Sequence, residues 1–252
     1  MPRNPKAGAP ELNDFGCIAD VYDELVSWAP YDYWVEQLEA RLRRHGLDPG
    51  DWILDAACGS GLSTVPWAQK GYHVVGADIS EQMLAMARRR AREAGVEIEL
   101  LQQDVTELHP ERRFDAAICM HSGLDYILDD AELRRAFASI RGCLREGGLF
   151  SFDKCLDIPS FYKDDYTESR SLPSCVADFE YRWDRGQRLF EQRCIVRRTD
   201  GGRPRRTEVV YHLRATPPDK LLEWVEGAGF EMLEPLKDFT ILDPGMGIFR
   251  AT

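Results

Sequence analysis

Ile53-Leu54-Asp55-Ala56-Ala57-Cys58-Gly59-Ser60-Gly61 is the stretch that decides the fold. An apolar run ends in an acid, a glycine-rich turn follows, and a helix-compatible segment comes next. A second apolar run, Tyr72-His73-Val74-Val75-Gly76-Ala77, ends at Asp78. This is the layout of a strand–turn–helix–strand unit that holds a nucleoside across the carboxyl ends of its strands. Gly59 and Gly61 let the backbone approach a ligand closely. Asp78 is placed to accept two hydrogen bonds from a ribose diol.

The flanks narrow the nucleoside. A dinucleotide fingerprint has a third glycine for close helix–strand packing, and Thr64 stands at that position. Nor does such a fingerprint require an acid at Asp55. An acid just before the glycines suits a ligand with an ammonium group near the turn. S-adenosylmethionine has that shape: adenosine, a cationic sulfonium, and a zwitterionic amino acid.

Working outward, strands and helices alternate. Strand 51–56 leads to a helix near 62–70, and strand 72–77 to a helix capped by Ser80 and stopped by Gly95, with Met83, Leu84 and Ala87 on one face. Strands 96–102 and 113–120, a helix over 130–145 and strand 149–153 follow. Such alternation predicts a parallel sheet covered on both faces. Upstream, 14–46 reads as helical, with Trp34, Leu38 and Leu42 four residues apart and Gly46 as the stop. Residues 1–12 read as a loose tail.

The pattern changes after Leu156. Three strand-like runs, 177–184, 188–199 and 205–215, are separated by turn signals at Asp184-Arg185-Gly186-Gln187 and Asp200-Gly201-Gly202. Thr216-Pro217-Pro218-Asp219 then opens a helix, with Thr216 as cap and Pro217 in first position. Strands near 230–238 and 246–251 close the chain. The expected organisation is a helical cap over 1–49, a cofactor-binding Rossmann-like core over 50–155, an antiparallel substrate-covering insert over 156–215, and a return to the core sheet over 216–252.

Composition bounds the function. The chain's 252 residues are enough for one α/β domain with an appendage. Lys and Arg number 32 against 43 Asp and Glu, a net charge of −11, which argues against a nucleic-acid partner and mildly favours cationic ligands. No apolar run of membrane-spanning length is present, and Met1–Pro10 does not resemble an export signal. Seven scattered cysteines without metal spacing read as reduced thiols in a cytoplasmic protein that binds no metal. The run Arg88-Arg89-Arg90 with Arg92 reads as a solvated helix face. Nothing here separates a monomer from a homodimer.

The glycine-turn string, with Asp78 after it, closely resembles the first two motifs of class I S-adenosylmethionine-dependent methyltransferases. The resemblance extends through Gln102-Gln103-Asp104-Val105, Phe114-Asp115-Ala116-Ala117-Ile118, Leu144-Arg145-Glu146-Gly147-Gly148-Leu149-Phe150 and Ala228-Gly229-Phe230. It implies a seven-stranded sheet with helices on both faces, and S-adenosylmethionine as cofactor. It also implies that Asp104 receives the adenine amino group while the amide of Val105 contacts the ring. Asp55, Ala57, Gly59, Gly61, Asp78, Ile79, Met83 and Met120 complete the implied cofactor site.

Within that family the chain resembles bacterial small-molecule methyltransferases similar to the amino-sugar N,N-dimethylating enzymes. These carry a Tyr-Asp pair near the N-terminus, here Tyr22-Asp23, which implies cofactor contact for Tyr22. They also carry a three-stranded insert with Glu, His and Arg, here Glu208, His212 and Arg214. The loop after the fourth strand, Met120-His121-Ser122-Gly123-Leu124-Asp125-Tyr126, departs from their Phe-Ser-Ser.

The methyl group is expected to emerge at the carboxyl edge of the fourth strand. His121 follows that strand and is the candidate catalytic residue; Tyr126, Tyr181 and His212 are candidates for binding the acceptor. The insert aromatics Phe161, Tyr162, Phe179, Tyr181 and Trp183 are expected to line its pocket. The reading is methyl transfer to nitrogen or oxygen of a small molecule by in-line displacement. Two alternatives stay open: an NAD-dependent oxidoreductase, and a non-catalytic nucleoside-binding protein.

Overall fold

A computed structural model of the chain describes residues 13–156, 165–237, 240 and 242–252. The core sheet is built from β1 (Trp52–Ala56), β2 (His73–Asp78), β3 (Glu99–Gln102), β4 (Phe114–Cys119), β5 (Leu144–Phe152), β10 (Phe230–Glu234) and β11 (Gly247–Ala251), in the order β10-β11-β5-β4-β1-β2-β3. β1 to β5 pair in parallel; β11 runs antiparallel between β5 and β10. From β1 the chain winds first to β2 and β3, then crosses to β4 and β5. The crevice at the carboxyl ends of β1 and β4 is therefore the switch point where such sheets bind ligands.

Alternating side chains divide the core. Leu54, Val75, Phe114, Phe150 and Phe152 point to the face covered by α5 (Asp130–Cys143) and α6 (Pro218–Gly227). Ile53, Val74 and Ile118 point to the other, against Trp34, Leu38 and Leu42 of α2 (Tyr31–Arg44) and Trp67 of α3 (Thr64–Gln69). The four-residue spacing of those α2 positions is what lays them on one stripe. α4 (Glu81–Ala94) starts where Ser80 Oγ accepts the Met83 amide and ends at left-handed Gly95.

The insert is an antiparallel meander of four strands, β6 (Tyr166–Ser171), β7 (Val176–Asp184), β8 (Leu189–Asp200) and β9 (Arg203–Arg214). Three were expected. β6, Tyr-Thr-Glu-Ser-Arg-Ser, has no apolar alternation because it is a mostly exposed edge strand, so the period-two signal is missing. One face of the meander packs on α1 (Ala19–Leu25) and a short 3-10 turn before it, through Ile18, Val21 and Leu25 against Ala177, Phe179, Cys194 and Val209.

Two other boundaries differ from expectation. The helical stretch 14–46 is interrupted between Leu25 and Tyr31, where Pro30 blocks continuation and caps α2. Thr216 is not a helix cap: its amide donates to Cys155 O, and α6 begins at Pro218 with Pro217 in the cap position.

Candidate active site

The carboxyl edge divides into two halves. On the β1–β3 side, Asp55 is buried at the end of β1. Its Oδ2 accepts from Ser63 Oγ and Thr64 Oγ1, both at 2.7 Å, while Oδ1 has no partner among the described residues. Burial pushes its carboxyl up to about 6, against the two hydroxyls that favour the anion. Thr64 thus occupies the third-glycine position with a specific bond to Asp55.

The turn that follows is left-handed at Ala57, Gly59 and Gly61. The Gly59 amide donates to Asp78 Oδ2 at 2.8 Å and the Ser80 amide to Oδ1 at 2.9 Å. Asp78 therefore fixes the turn to the end of β2, and each oxygen retains accepting capacity. Burial raises its carboxyl, opposed by those amides. A Cβ on Gly61 would stand 3.0 Å from Ala87 Cβ. Met83 is buried under Gly59, and Ile79 is 67% exposed at the end of β2. Asp104 lies exposed after β3, where its Oδ1 accepts from the amide and hydroxyl of Thr106, with Val105 beginning a 3-10 turn. Cys58 is buried and its thiol is pushed well up by burial, which removes nucleophilic character.

On the β4–β5 side, buried Met120 leads into His121 and Ser122, both left-handed at φ 66° and 65°. Consecutive non-glycine residues there are strained. The conformation is held by Asp153, one residue past β5, whose Oδ2 accepts from the Ser122 amide at 2.7 Å. His121 Nδ1 hydrogen-bonds the Tyr31 hydroxyl. Its ring lies 5.6, 5.3 and 5.7 Å from those of Trp28, Tyr31 and Trp34. Burial lowers the imidazole to about 4, so it is neutral at physiological pH.

Tyr126 meets Phe15 edge-on at 5.0 Å and Tyr211 at 6.3 Å. Tyr22, on α1, joins the halves. Burial raises its hydroxyl to about 12, the Tyr31 hydroxyl lowers it, and the Asp78 and Asp23 charges raise it further.

α1 is clamped over the glycine turn. Ser60 Oγ donates to Asp23 Oδ1 at 2.6 Å, Arg90 pairs with Asp23, and Arg90 Nε donates to Ser60 O at 3.1 Å. Arg90 is thus not part of a solvated face, whereas Arg88 and Arg89 are exposed and face Glu81 and Glu93.

The insert residues behave differently from expectation. Tyr181 donates its hydroxyl to Glu168 Oε1 at 2.6 Å and stacks on Tyr166 at 4.2 Å. Phe179 lies under the Arg170 guanidinium, and Trp183 packs on Phe190. These rings serve the insert's own core; Phe161 and Tyr162 lie outside the described residues. His212 alternates to the face opposite Tyr211 and bonds Glu191 Oε2 at 2.9 Å. Glu208 pairs with Arg193 and Arg206, and Arg214 with Asp130. Glu208, His212 and Arg214 thus share one face of β9, and each is engaged by a different partner.

Tyr31, Tyr211 and Asp153 escaped the sequence reading. Asp153 carried a signal: it ends an apolar strand run, as Asp55 and Asp78 do.

Comparisons with known proteins agree with this geometry. A methyltransferase-domain model matches residues 53–148. A Geobacillus sp. (strain WCH70) protein, provisionally named a methyltransferase, is 32% identical over 87% of this chain and 90% of its own. This chain is a class I S-adenosylmethionine-dependent methyltransferase. A Streptomyces fradiae amino-sugar N,N-dimethyltransferase is 33% identical to the methyltransferase over 54% of this chain and 52% of that one. In fold it is similar to an S-adenosylmethionine-dependent methyltransferase of Clostridium acetobutylicum, with a TM-score of 0.79 at 20% identity, covering 95% and 99% of the two chains.

The methyltransferase's own residues fit its cofactor. A buried, half-satisfied acid in Asp55 suits a cationic group, the turn has no Cβ at Gly59 or Gly61, and Asp78 offers two oxygens beside an exposed apolar Ile79. The described residues include no cluster of His, Cys, Asp and Glu able to hold a metal. No described helix is long and apolar enough to cross a membrane.

Proposed function

We propose that the acceptor is a small molecule, methylated at nitrogen or oxygen in the chamber bounded by Tyr22, Tyr31, His121, Tyr126 and Tyr211. One observation carries this reading: Asp23, next to Tyr22 on α1, is bonded by Ser60 of the glycine turn, while the Tyr31 hydroxyl beside Tyr22 bonds His121, so the nucleoside side and the chamber adjoin. In this proposal Tyr22, Asp55, Ala57, Gly59, Gly61, Asp78, Ile79, Met83, Asp104, Val105 and Met120 hold the cofactor. When bound, the cofactor supplies an electrophilic methyl group on a sulfonium that leaves as a neutral thioether.

The remaining work is alignment and exclusion of water. Holding the partners in line contributes roughly 7–11 kcal/mol in favourable cases. The helical cap and the insert close the chamber. His121 is its catalytic residue, and it acts as a neutral hydrogen-bonding group that orients the acceptor. An imidazole lowered to about 4 is a poor match for a base at neutral pH. Tyr126 lines the acceptor side; Tyr181 and His212, engaged with Glu168 and Glu191, do not join it.

A dinucleotide in place of this cofactor is disfavoured by Thr64, whose hydroxyl is committed to Asp55. The net charge of −11 disfavours a nucleic-acid acceptor, and seven scattered cysteines fit a reducing cytoplasm. The enzyme is proposed to work as a monomer or homodimer. Incubation with methyl-labelled cofactor and a panel of small amines and alcohols, read by mass spectrometry, tests the function. Labelled product supports it; binding of NAD in preference to S-adenosylhomocysteine opposes it.

A further inference from the structure

Asp153 is a buried acid that methyl transfer as described so far does not use. It is 4% exposed. Oδ2 is engaged by the Ser122 amide, while Oδ1 has no partner among the described residues. It stands one residue past β5, beside the His121–Ser122 bend at the end of β4. That is the side of the switch point away from β1–β3, where the nucleoside belongs. A buried carboxylate oxygen without a partner is costly, and a bound donor removes the cost.

The groups facing Asp153 do not neutralise it. Asp125 is near and repels it; Lys154, next in the chain, is committed to Asp125 Oδ1 at 2.6 Å and to Arg214 O. Tyr31 from α2, Tyr126 after β4 and Cys119 of β4 all feel its charge, and burial pushes each of those groups further toward its neutral form. His121 is kept neutral by burial. With Asp125 already paired to Lys154, Asp153 is the acid left without a cationic partner, supported by backbone amides and set among neutral tyrosines, histidine and thiol, and it suits a positively charged donor. Tyrosine faces add cation–π attraction.

We infer that Asp153 Oδ1 is a further catalytic group of the acceptor site, which receives a protonated amine of the acceptor and removes its proton. This rests on the methyltransferase reading above and adds the acceptor's chemical class. The balance is simple. The ammonium N–H bond breaks, its proton forms an O–H bond on Asp153, and the freed nitrogen lone pair becomes the nucleophile for the methyl carbon. The methylated ammonium product carries the positive charge, and Asp153 returns the proton to solvent. A carboxyl pushed up to about 7 by burial and by Asp125 is well matched to this task at neutral pH, and better matched than His121.

Asp153→Asn tests the inference, because its amide oxygen can still accept from Ser122 while the charge is lost. The probes are small primary and secondary amines, each paired with its hydroxyl isostere, in the presence of S-adenosylhomocysteine for binding and methyl-labelled cofactor for turnover. Wild type should bind and methylate amines and not the isosteric alcohols. Asp153→Asn should lower amine kcat/KM by about 100-fold or more and weaken calorimetric amine binding. Cofactor affinity should stay within about threefold, and Asp153→Glu should recover part of the loss. Three results overturn it: transfer to alcohols but not amines, an Asp153→Asn enzyme as active on amines as wild type, or no amine bound or methylated by a cofactor-binding enzyme. Failure of the wild type to bind S-adenosylhomocysteine would instead overturn the methyltransferase reading.

Discussion

The two halves of the active edge are built by different means. On the nucleoside side, backbone shape comes from adjacent residues: the turn after β1, the acid ending β2 and the cap of α4 are all within 53–83. The proposed acceptor chamber draws instead on distant segments: Tyr31 before the core, His121 and Tyr126 after β4, Asp153 after β5 and Tyr211 in the insert, with Tyr22 of α1 shared with the cofactor side. A local site tolerates change elsewhere. An assembled site depends on whatever holds its pieces in register.

The sharpest break between them should come from Lys154→Met. Lys154 Nζ ties Asp125 to Arg214 O, with side chains 0% and 1% exposed, so it joins the β4 loop, the β5 end and β9. Removing one partner of such a pair costs about 3–5 kcal/mol. Thermal denaturation should show a fall of roughly 10 °C or more, with S-adenosylhomocysteine affinity nearly unchanged well below the transition. A shift under about 2 °C would dissociate that pair from the stability of the acceptor half.

Next is the pH dependence of Asp153→Asn. The native carboxyl titrates at about 7, while the unfolded one titrates in the ordinary carboxylate range. Between these values the native state holds a proton that the unfolded state lacks, so wild type loses stability as pH rises through this window. Asparagine does not titrate. The variant's advantage should therefore grow from pH 4 to pH 7, by about 2–4 kcal/mol, and then level off. A difference independent of pH would mean that Asp153 is not held in a desolvated site.

Gly61→Ala probes the other half. A Cβ there meets Ala87 at 3.0 Å and the residue sits at φ 79°, so a loss of about 1–3 kcal/mol in stability is expected, together with weaker cofactor binding. Unaltered cofactor affinity would show that the turn tolerates adjustment.

This contrast also explains what the sequence made legible. The strand–turn–helix unit is contiguous, so Asp55, Gly59, Gly61 and Asp78 carry their meaning in their spacing. The parallel sheet followed from alternation, and Ser80 and Gly95 marked both ends of α4. Tyr31, Tyr211 and the free oxygen of Asp153 acquire meaning only when α2, β9 and β5 converge, which no local pattern encodes. His212 misled for the converse reason. Its neighbours in sequence suggested a site, but alternation along β9 turns it away from Tyr211 to Glu191. β6 escaped because an exposed edge strand has no apolar face to display.

Calorimetric titration of S-adenosylhomocysteine into wild type, Asp78→Ala and His121→Ala tests the division most directly. Asp78→Ala removes a charged acceptor of ligand hydrogen bonds and the anchor of the Gly59 amide. It should weaken binding by about 1.5–3 kcal/mol, roughly 10- to 150-fold. His121→Ala should bind within about threefold of wild type while its turnover of an identified acceptor falls by about 10-fold. Undiminished binding by Asp78→Ala, or an equal loss in His121→Ala, would contradict a cofactor site on β1–β3 separate from an acceptor chamber on β4–β5.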